Sequence, residues 1–201
     1  MPEPLGIDEQ GDDTVSYLRG TVPHYPLPDW VWSDSVLVRA ARYLDAFHEA
    51  SRDFDPTEAT WQVPPHHPAE VICHNDFAPY NMVFRDEQLE AVVDWDTASP
   101  GPRFWDLAYL AYRIVPLTHP ANRDGLTNSL TERARRLRLL CDSYGHRAAP
   151  SRVLPIAVRR LHDLADFTEA RATGTQHHLR EHAGLYRRDA VWIDANIDGL
   201  R

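Results

Sequence analysis

The chain contains no lysine, because all 21 of its basic residues are arginine. Any mechanism that requires a lysine ammonium within this sequence is therefore excluded. Cysteine is also scarce, since only Cys73 and Cys141 are present. Two cysteines are too few for a disulfide framework, and their separation does not match a metal-binding motif. We expect both to be reduced thiols.

Long apolar runs are missing as well. No stretch of 18 apolar residues occurs, and Met1 is followed by proline and acidic residues rather than by a basic and then an apolar segment. These absences predict a cytoplasmic protein with no membrane partner. With 43% apolar residues, the 201-residue chain is long enough to form one domain with a hydrophobic core.

Basic residues are fewer than acidic ones, 21 against 30, which gives a net charge of -9. A general nucleic-acid binder needs a basic face to neutralise phosphates, so nucleic acid is not expected as a partner. A cationic or neutral small molecule fits better, although surplus acid can also serve solubility alone.

The first half of the chain predicts short elements separated by loops. Residues 1–30 are proline-rich and contain one candidate strand, Thr14–Leu18. A helix is predicted from Ser33 or Asp34, both good caps, through apolar positions spaced by three and four residues as far as His48. The segment Phe54–Pro68 holds four prolines and is predicted to be a surface loop.

Strands and then helices follow in the rest of the sequence. The predicted strands are Glu70–Cys73, Met82–Arg85 and Leu89–Val93, the last two forming a hairpin. After Pro102 the apolar spacing is helical, with helices predicted at Phe104–Val115, Leu126–Tyr144, Ser151–Ala172 and His178–Asn196. The predicted class is α+β and mostly helical, with a small β-hairpin sheet.

Three polar residues lie where strands end. Asp76 comes just after a predicted strand and could accept a proton from a hydroxyl group. Asn81 follows five residues later across a tight loop, and Asp94 closes the next hairpin. Two carboxylates and an amide brought together at strand ends supply the oxygen ligands that suit Mg²⁺, which also binds phosphate oxygens.

These residues belong to the motifs His74-x-Asp76-x-x-x-x-Asn81, Val92-Val-Asp-Trp-Asp96 and Pro102-Arg-Phe-Trp-Asp-Leu-Ala108. In this order they resemble the aminoglycoside phosphotransferase and choline-kinase-like family, relatives of protein kinases. The resemblance covers roughly Pro4–Asn196 and is strongest over Val71–Tyr112. It implies the C-terminal lobe of a protein-kinase-like fold, with ATP as phosphoryl donor and the hydroxyl of a small molecule as acceptor.

The resemblance also implies roles for single residues. Asp76 is the expected catalytic base, with His74 as the histidine that supports its loop, while Asn81 and Asp94 are the expected Mg²⁺ ligands. Asp106 is expected to brace the catalytic loop by accepting its backbone N–H groups. For Asp96 two roles stay open, an outer partner of the metal site or an acceptor for backbone donors.

Further roles implied by the resemblance concern the two ligands. Tyr17 and Leu18, within Ser16–Gly20, resemble the hinge that contacts adenine. Helices from Leu126 onward are expected to form a wall of the acceptor pocket, with the carboxylates of Asp163, Asp166 and Glu169 available to a cationic or hydroxyl-rich substrate.

The sequence departs from the family pattern near its start. The small lobe's glycine-rich loop and lysine are missing, and the nine glycines nowhere form a phosphate-binding loop. We interpret residues 1–30 as a remnant of the small-lobe hairpin and hinge and 31–201 as the catalytic lobe. Within that lobe, residues 71–108 carry the catalytic and metal loops and 109–201 form the acceptor-binding subdomain.

Two expectations follow from this departure. Mg-ATP should bind feebly if at all to this chain alone, because the groups that clamp its phosphates are missing. The surface that a small lobe would cover should expose the strand Thr14–Leu18, so a homodimer is expected through it.

Three functions therefore remain open. The first is an ATP-dependent phosphotransferase, impaired or completed by another chain. The second is a non-kinase enzyme that uses the same carboxylates for acid–base chemistry on a small molecule. The third is a catalytically silent binding module.

Overall fold

A computed structural model describes residues 2–122, 124, 128–172 and 177–201. Over these ranges the chain forms six α-helices and three two-stranded antiparallel sheets. The strands are β1 (Pro4–Ile7), β2 (Asp13–Val15), β3 (Val71–Cys73), β4 (Met82–Arg85), β5 (Gln88–Val92) and β6 (Ser99–Gly101). The helices are α1 (Asp34–Ser51), α2 (Arg103–Ile114), α3 (Leu130–Tyr144), α4 (Pro150–Arg171), α5 (His177–Ala195) and α6 (Ile197–Leu200).

The N-terminal hairpin pairs β1 with β2 around a turn that Asp8 organises. The Oδ1 atom of Asp8 accepts hydrogen bonds from the backbone N–H groups of Gln10 (2.9 Å) and Asp12 (2.8 Å). The strand predicted over Thr14–Leu18 is confirmed only as far as Val15. The N–H of Ser16 still donates to the carbonyl of Glu3 (2.8 Å), but the strand does not continue.

Beyond the hairpin the chain crosses β4. Thr21 and Phe84 exchange two backbone hydrogen bonds of 2.7 and 2.9 Å. Gly20 allows this approach, since a Cβ atom there would lie 2.5 Å from Val83 Cγ1 and 2.6 Å from the carbonyl oxygen of Phe84. The segment that leads into α1 is thereby fixed against the β4–β5 hairpin.

Helix α1 begins where the sequence predicts. The hydroxyl of Ser33 accepts a hydrogen bond from the N–H of Val36 (3.3 Å), which satisfies one of the free donors of the first turn. The buried face of the helix includes Leu37, Ala40 and Leu44, and it packs mainly against α3.

Two of the small sheets place the functional loops. Strand β3 pairs with β6, and β4 pairs with β5. Strand β6 was not predicted, because its sequence Ser-Pro-Gly has none of the β-branched or aromatic residues that indicate a strand. Its pairing with β3 closes a loop between residues 73 and 99 and gathers the polar segments on either side of β4–β5.

Helix α2 lies at the centre of the molecule. Each residue from Phe104 to Ile114 is buried, including Asp106 and Arg113. Helix α4 packs against both α2 and α5. Helix α3, predicted from Leu126, begins at Leu130 with Ser129 as its cap, while residues 125–127 lie outside the described part of the chain. None of the helices in the described ranges has the length and apolar character needed to span a bilayer.

Candidate active site

The loop after β3 is held from inside the protein by Asp106. One carboxylate oxygen accepts the N–H of His74 (2.6 Å), and the other accepts the N–H of Asn75 (2.9 Å). His48 donates a further hydrogen bond to the same carboxylate (3.3 Å). Asp106 is completely buried, so its charge is balanced only by these donors and nearby cationic groups. This arrangement fixes the backbone immediately before Asp76.

His74 is completely buried and connects the two polar loops. Its Nδ1 atom accepts the N–H of Asp76 (3.2 Å), which leaves Nε2 to donate to the carbonyl oxygen of Val93 (3.0 Å). The ring of Trp95 packs against it at 4.4 Å between centroids. His74 is absent from the lining of the cavity that contains Asp76, so this geometry makes it a positioning residue.

Asp76 lies at the floor of that cavity with its carboxylate held on both oxygens. Tyr80 donates its hydroxyl to Oδ1 (2.6 Å), and Asn81 donates its amide to Oδ2 (2.9 Å). The hydroxyl of Tyr109 lies 2.8 Å from that of Tyr80. Burial, together with the nearby Tyr109 and Asp76, raises the pKa of the Tyr80 phenol, so it remains a proton donor in this chain of contacts.

Asn81 and Asp94 offer the oxygen atoms for a cation. The amide nitrogen of Asn81 is committed to the side chain and carbonyl of Asp76, which leaves its amide oxygen for a ligand. Asp94 is exposed and has a left-handed backbone with φ of 64°. Partial burial, and then the charges of Asp76 and Asp96, raise the pKa of Asp94. A divalent cation would relieve this repulsion, and the donor set fits Mg²⁺.

Three other predicted residues, Asp96, Tyr17 and Leu18, lie outside the lining of the cavity that contains Asp76. Asp96 is exposed, and its charge contributes to the raised pKa of Asp94, while both roles left open for Asp96 stay predictions. Tyr17 is 88% exposed and, like Leu18, lies outside the lining of the cavity with Asp76. Their contact with adenine stays a prediction.

The space above Asp76, named here the Asp76 cavity, has a volume of about 550 Å³. Its walls bring the catalytic loop together with α4 and α5, and they include Asp76, Tyr80, Arg160, Asp163, Asp166 and Tyr186. Two of the three acids predicted to meet a substrate therefore line it. The third, Glu169, is absent from this lining and forms an ion pair with Arg187, which also binds Asp166.

Sequence reasoning missed Tyr80, Tyr109 and Arg160. Tyr80 sits four residues after Asp76 in the short 3-10 turn Pro79–Asn81, and that spacing was the available signal. Arg160 donates to the carbonyl of Asn75 across 85 positions, and Tyr109 meets Tyr80 across 29. Contacts between residues so far apart in the sequence cannot be predicted from a local pattern.

A carboxylate fixed at the end of a strand, at the meeting point of small sheets and a helical subdomain, is typical of a kinase-like fold. Comparison with known proteins agrees. The model of the APH phosphotransferase enzyme family matches residues 22–140, and the chain belongs to this family.

Two relatives extend the comparison. A trifolitoxin immunity protein from Rhizobium leguminosarum bv. trifolii is 33% identical over 147 residues, which are 70% of this chain and 54% of that protein. The chain thus spans about half the length of this curated relative. A crystal structure from Ralstonia eutropha JMP134, of a protein proposed to be an aminoglycoside phosphotransferase, has a TM-score of 0.60 at 13% identity. The structural match covers 91% of this chain and 73% of the Ralstonia chain. At this identity the second match shows the fold, and it confirms the predicted class.

Proposed function

We propose that the protein transfers a phosphoryl group from Mg-ATP to a hydroxyl of a small molecule bound in the Asp76 cavity. The observation that carries this proposal is the carboxylate of Asp76, fixed by Tyr80 and Asn81 at the wall of a cavity large enough for such a molecule. Family membership supports the same class of reaction.

In the proposed reaction Asp76 orients the acceptor hydroxyl and takes up its proton. The hydroxyl oxygen forms a bond to the γ-phosphorus while the bond from that phosphorus to the ADP oxygen breaks. Because Tyr80 and Asn81 each hold one carboxylate oxygen, the carboxylate keeps its direction as it accepts the proton.

Asn81 and Asp94 are the proposed Mg²⁺ ligands, and bound Mg²⁺ supplies charge neutralisation for the phosphates. His74 maintains the relative position of these groups, since it bonds to the backbone of both Asp76 and Val93. The loop with the base and the loop with the metal ligand are therefore one connected unit.

A cationic, hydroxyl-bearing acceptor is the substrate class we propose. Asp163 and Asp166 line the helical wall of the cavity, and because Asp166 pairs with Arg187, Asp163 is the carboxylate of the two with no ion pair among the described residues. The Ralstonia protein is proposed to act on aminoglycosides, and the Rhizobium relative is named for immunity to trifolitoxin. The first of these names supports a small-molecule acceptor.

The site has few groups that could bind the phosphates of ATP. The chain has no lysine, so only Mg²⁺, arginine or groups outside these 201 residues can neutralise the triphosphate. We propose slow transfer by this chain alone. The same observation favours a second candidate function, binding of the small molecule without phosphoryl transfer.

One experiment separates these functions. ADP release from Mg-ATP is measured with a panel of cationic, hydroxyl-bearing molecules, and binding of each molecule is measured by calorimetry. For a transferase, Asp76→Asn should lower turnover by about 10²–10⁴ while the melting curve is unchanged.

The matched control is Asp53→Asn, because the side chain of Asp53 is 93% exposed and lies outside the cavity lining. Binding of an acceptor without ADP release by the wild type would favour the second candidate. Undiminished turnover of the Asp76→Asn protein would remove Asp76 as the base.

A further inference from the structure

A second cavity of about 580 Å³ lies on the other side of the segment that carries His66 and His67. His66 lines the Asp76 cavity, whereas His67 lines this one, and no described residue lines both. Four arginines contribute to its walls, namely Arg103, Arg147, Arg152 and Arg159. We name it the basic cavity.

The positive charge of the basic cavity is only partly compensated. Arg103 forms an ion pair with Glu49 (3.0 Å). Within the described part of the chain, no carboxylate pairs with Arg147, Arg152 or Arg159. The acid on the wall is Glu70, whose carboxylate accepts the backbone N–H of Arg103 (3.1 Å). Three arginines without a paired carboxylate on one wall are unusual in a chain of net charge -9.

Two of these arginines are held in place. The guanidinium of Arg152 stacks on Phe104 at 4.5 Å and donates to the carbonyl of Arg147 (2.9 Å). The guanidinium of Arg159 lies 5.2 Å from the centre of the Trp105 ring. Cation–π contacts of this kind reduce the conformational freedom that a ligand would otherwise have to remove.

Arg103 adds an unused donor. Its Nη1 atom is buried and has no hydrogen-bond partner among the described residues, although the phenol of Tyr144 lies near the guanidinium. A buried donor without a partner is rare in native proteins. Because Arg103 lines the basic cavity, an anion bound there is a candidate acceptor for its guanidinium.

The backbone around the cavity is also arranged for an anion. Gly145, His146 and Arg147 all have left-handed backbones, with φ of 81°, 50° and 55°. Such conformations in residues other than glycine cost energy and cluster at functional positions. The first N–H of α2, that of Arg103, is already bonded to the carboxylate of Glu70, whereas α4, which contributes Arg152 to the wall, has no side-chain cap. The positive end of α4 therefore favours a negative ligand.

We propose that the basic cavity binds a small molecule with two or more oxyanion charges, held by Arg103, Arg147, Arg152 and Arg159. Phosphate and carboxylate groups share this chemistry, because arginine pairs with both through parallel hydrogen bonds. The site is separate from the Asp76 cavity and does not depend on the function proposed there.

The test is a calorimetric titration of the full chain with pyrophosphate and with citrate, at low and at physiological salt. The wild type should bind at least one anion, with affinity that falls as salt rises. The double variant Arg152→Gln/Arg159→Gln should weaken binding by at least tenfold. Preference for pyrophosphate or citrate identifies the head group.

The matched control is Arg85→Gln, which removes one exposed arginine charge on the β4–β5 hairpin. It should bind as the wild type does. The single variants Arg152→Gln and Arg159→Gln, checked by circular dichroism, keep the test valid if the double variant does not fold. Absence of binding to the wild type, or equal loss in Arg85→Gln, would overturn the proposal.

Discussion

Asp106 shows how one buried carboxylate can fix the loop that carries Asp76. Both of its oxygens accept backbone N–H groups, and His48 donates a third hydrogen bond. Burial acts to raise the pKa of Asp106, but the hydrogen bond and charge of His48, followed by His74 and Arg160, outweigh it, and the pKa is lowered.

Replacing Asp106 tests this role. In Asp106→Asn an amide NH₂ faces a backbone N–H, so at least one buried donor loses its acceptor, and the free energy of unfolding should fall by about 2–4 kcal/mol near neutral pH. Chemical denaturation measures the change. Asp198→Asn is the control, because the side chain of Asp198 is 92% exposed.

The same comparison has a pH dependence with a defined sign. A carboxylate whose pKa is lowered by folding stabilises the protein above its ordinary pKa of 3.8 and loses that contribution as pH falls further. The gap between wild type and Asp106→Asn should therefore shrink below about pH 4. A gap that widens in acid would contradict the assignment.

Two glycines allow opposite predictions for the elements that contain them. Gly20 touches the backbone of Phe84 where the chain crosses β4, so Gly20→Ala should cost about 1–3 kcal/mol and loosen that crossing. Gly184 lies within α5 with no atom near its missing Cβ, so Gly184→Ala should add about 0.5–1 kcal/mol. Thermal unfolding of both variants checks the two signs, and destabilisation by Gly184→Ala would contradict the second.

The elements that sequence could predict are those with a local signal. Helix α1 has its cap at Ser33 and a periodic apolar face, and the loop from His74 to Asn81 has a recognisable spacing. Strand β6 has no such signal, and it is defined only by its antiparallel pairing with β3. The strand predicted beyond Val15 does not form, because the backbone pairing of the hairpin ends with the bond from Ser16 to Glu3.

The candidate site divides in the same way. Asp76, Asn81 and Asp94 could be named from their motifs, and Tyr80 lies in the same loop. Tyr109 and Arg160 reach that loop through tertiary packing. Charge predicts both Asp166 and Glu169 as substrate contacts, but Arg187 already pairs with both. Composition shows which charges exist and cannot show which are already neutralised.

For the whole molecule, the N-terminal hairpin favours self-association. Leu5, Ile7, Val15 and Tyr17 are between 49% and 88% exposed. Apolar side chains on a two-stranded hairpin with free edges favour pairing with a second copy. We expect a dimer of two 23.0 kDa chains in light scattering coupled to size exclusion, and a monomer for Ile7→Glu/Val15→Glu. A wild-type monomer at all concentrations would contradict this prediction.

The charge inventory of the whole chain predicts weak nucleotide binding. Without lysine to hold the β- and γ-phosphates, Mg-ATP should bind in the millimolar range or more weakly, about 4 kcal/mol of binding free energy or less. Calorimetry with Mg-ATP measures this directly. Micromolar binding by the isolated chain would show that other groups, arginine foremost, replace the missing ammonium.

The side chain of Trp105 lies between residues that line the two cavities. Its buried ring lies 4.1 Å from His66, which lines the Asp76 cavity, and 5.2 Å from the guanidinium of Arg159, which lines the basic cavity. An indole in this position is a built-in optical reporter, since its emission responds to the charge and order of groups on both faces. Ligands entering from either side should change the same fluorescence signal, and Trp105→Phe should abolish that change while the other five tryptophans continue to emit.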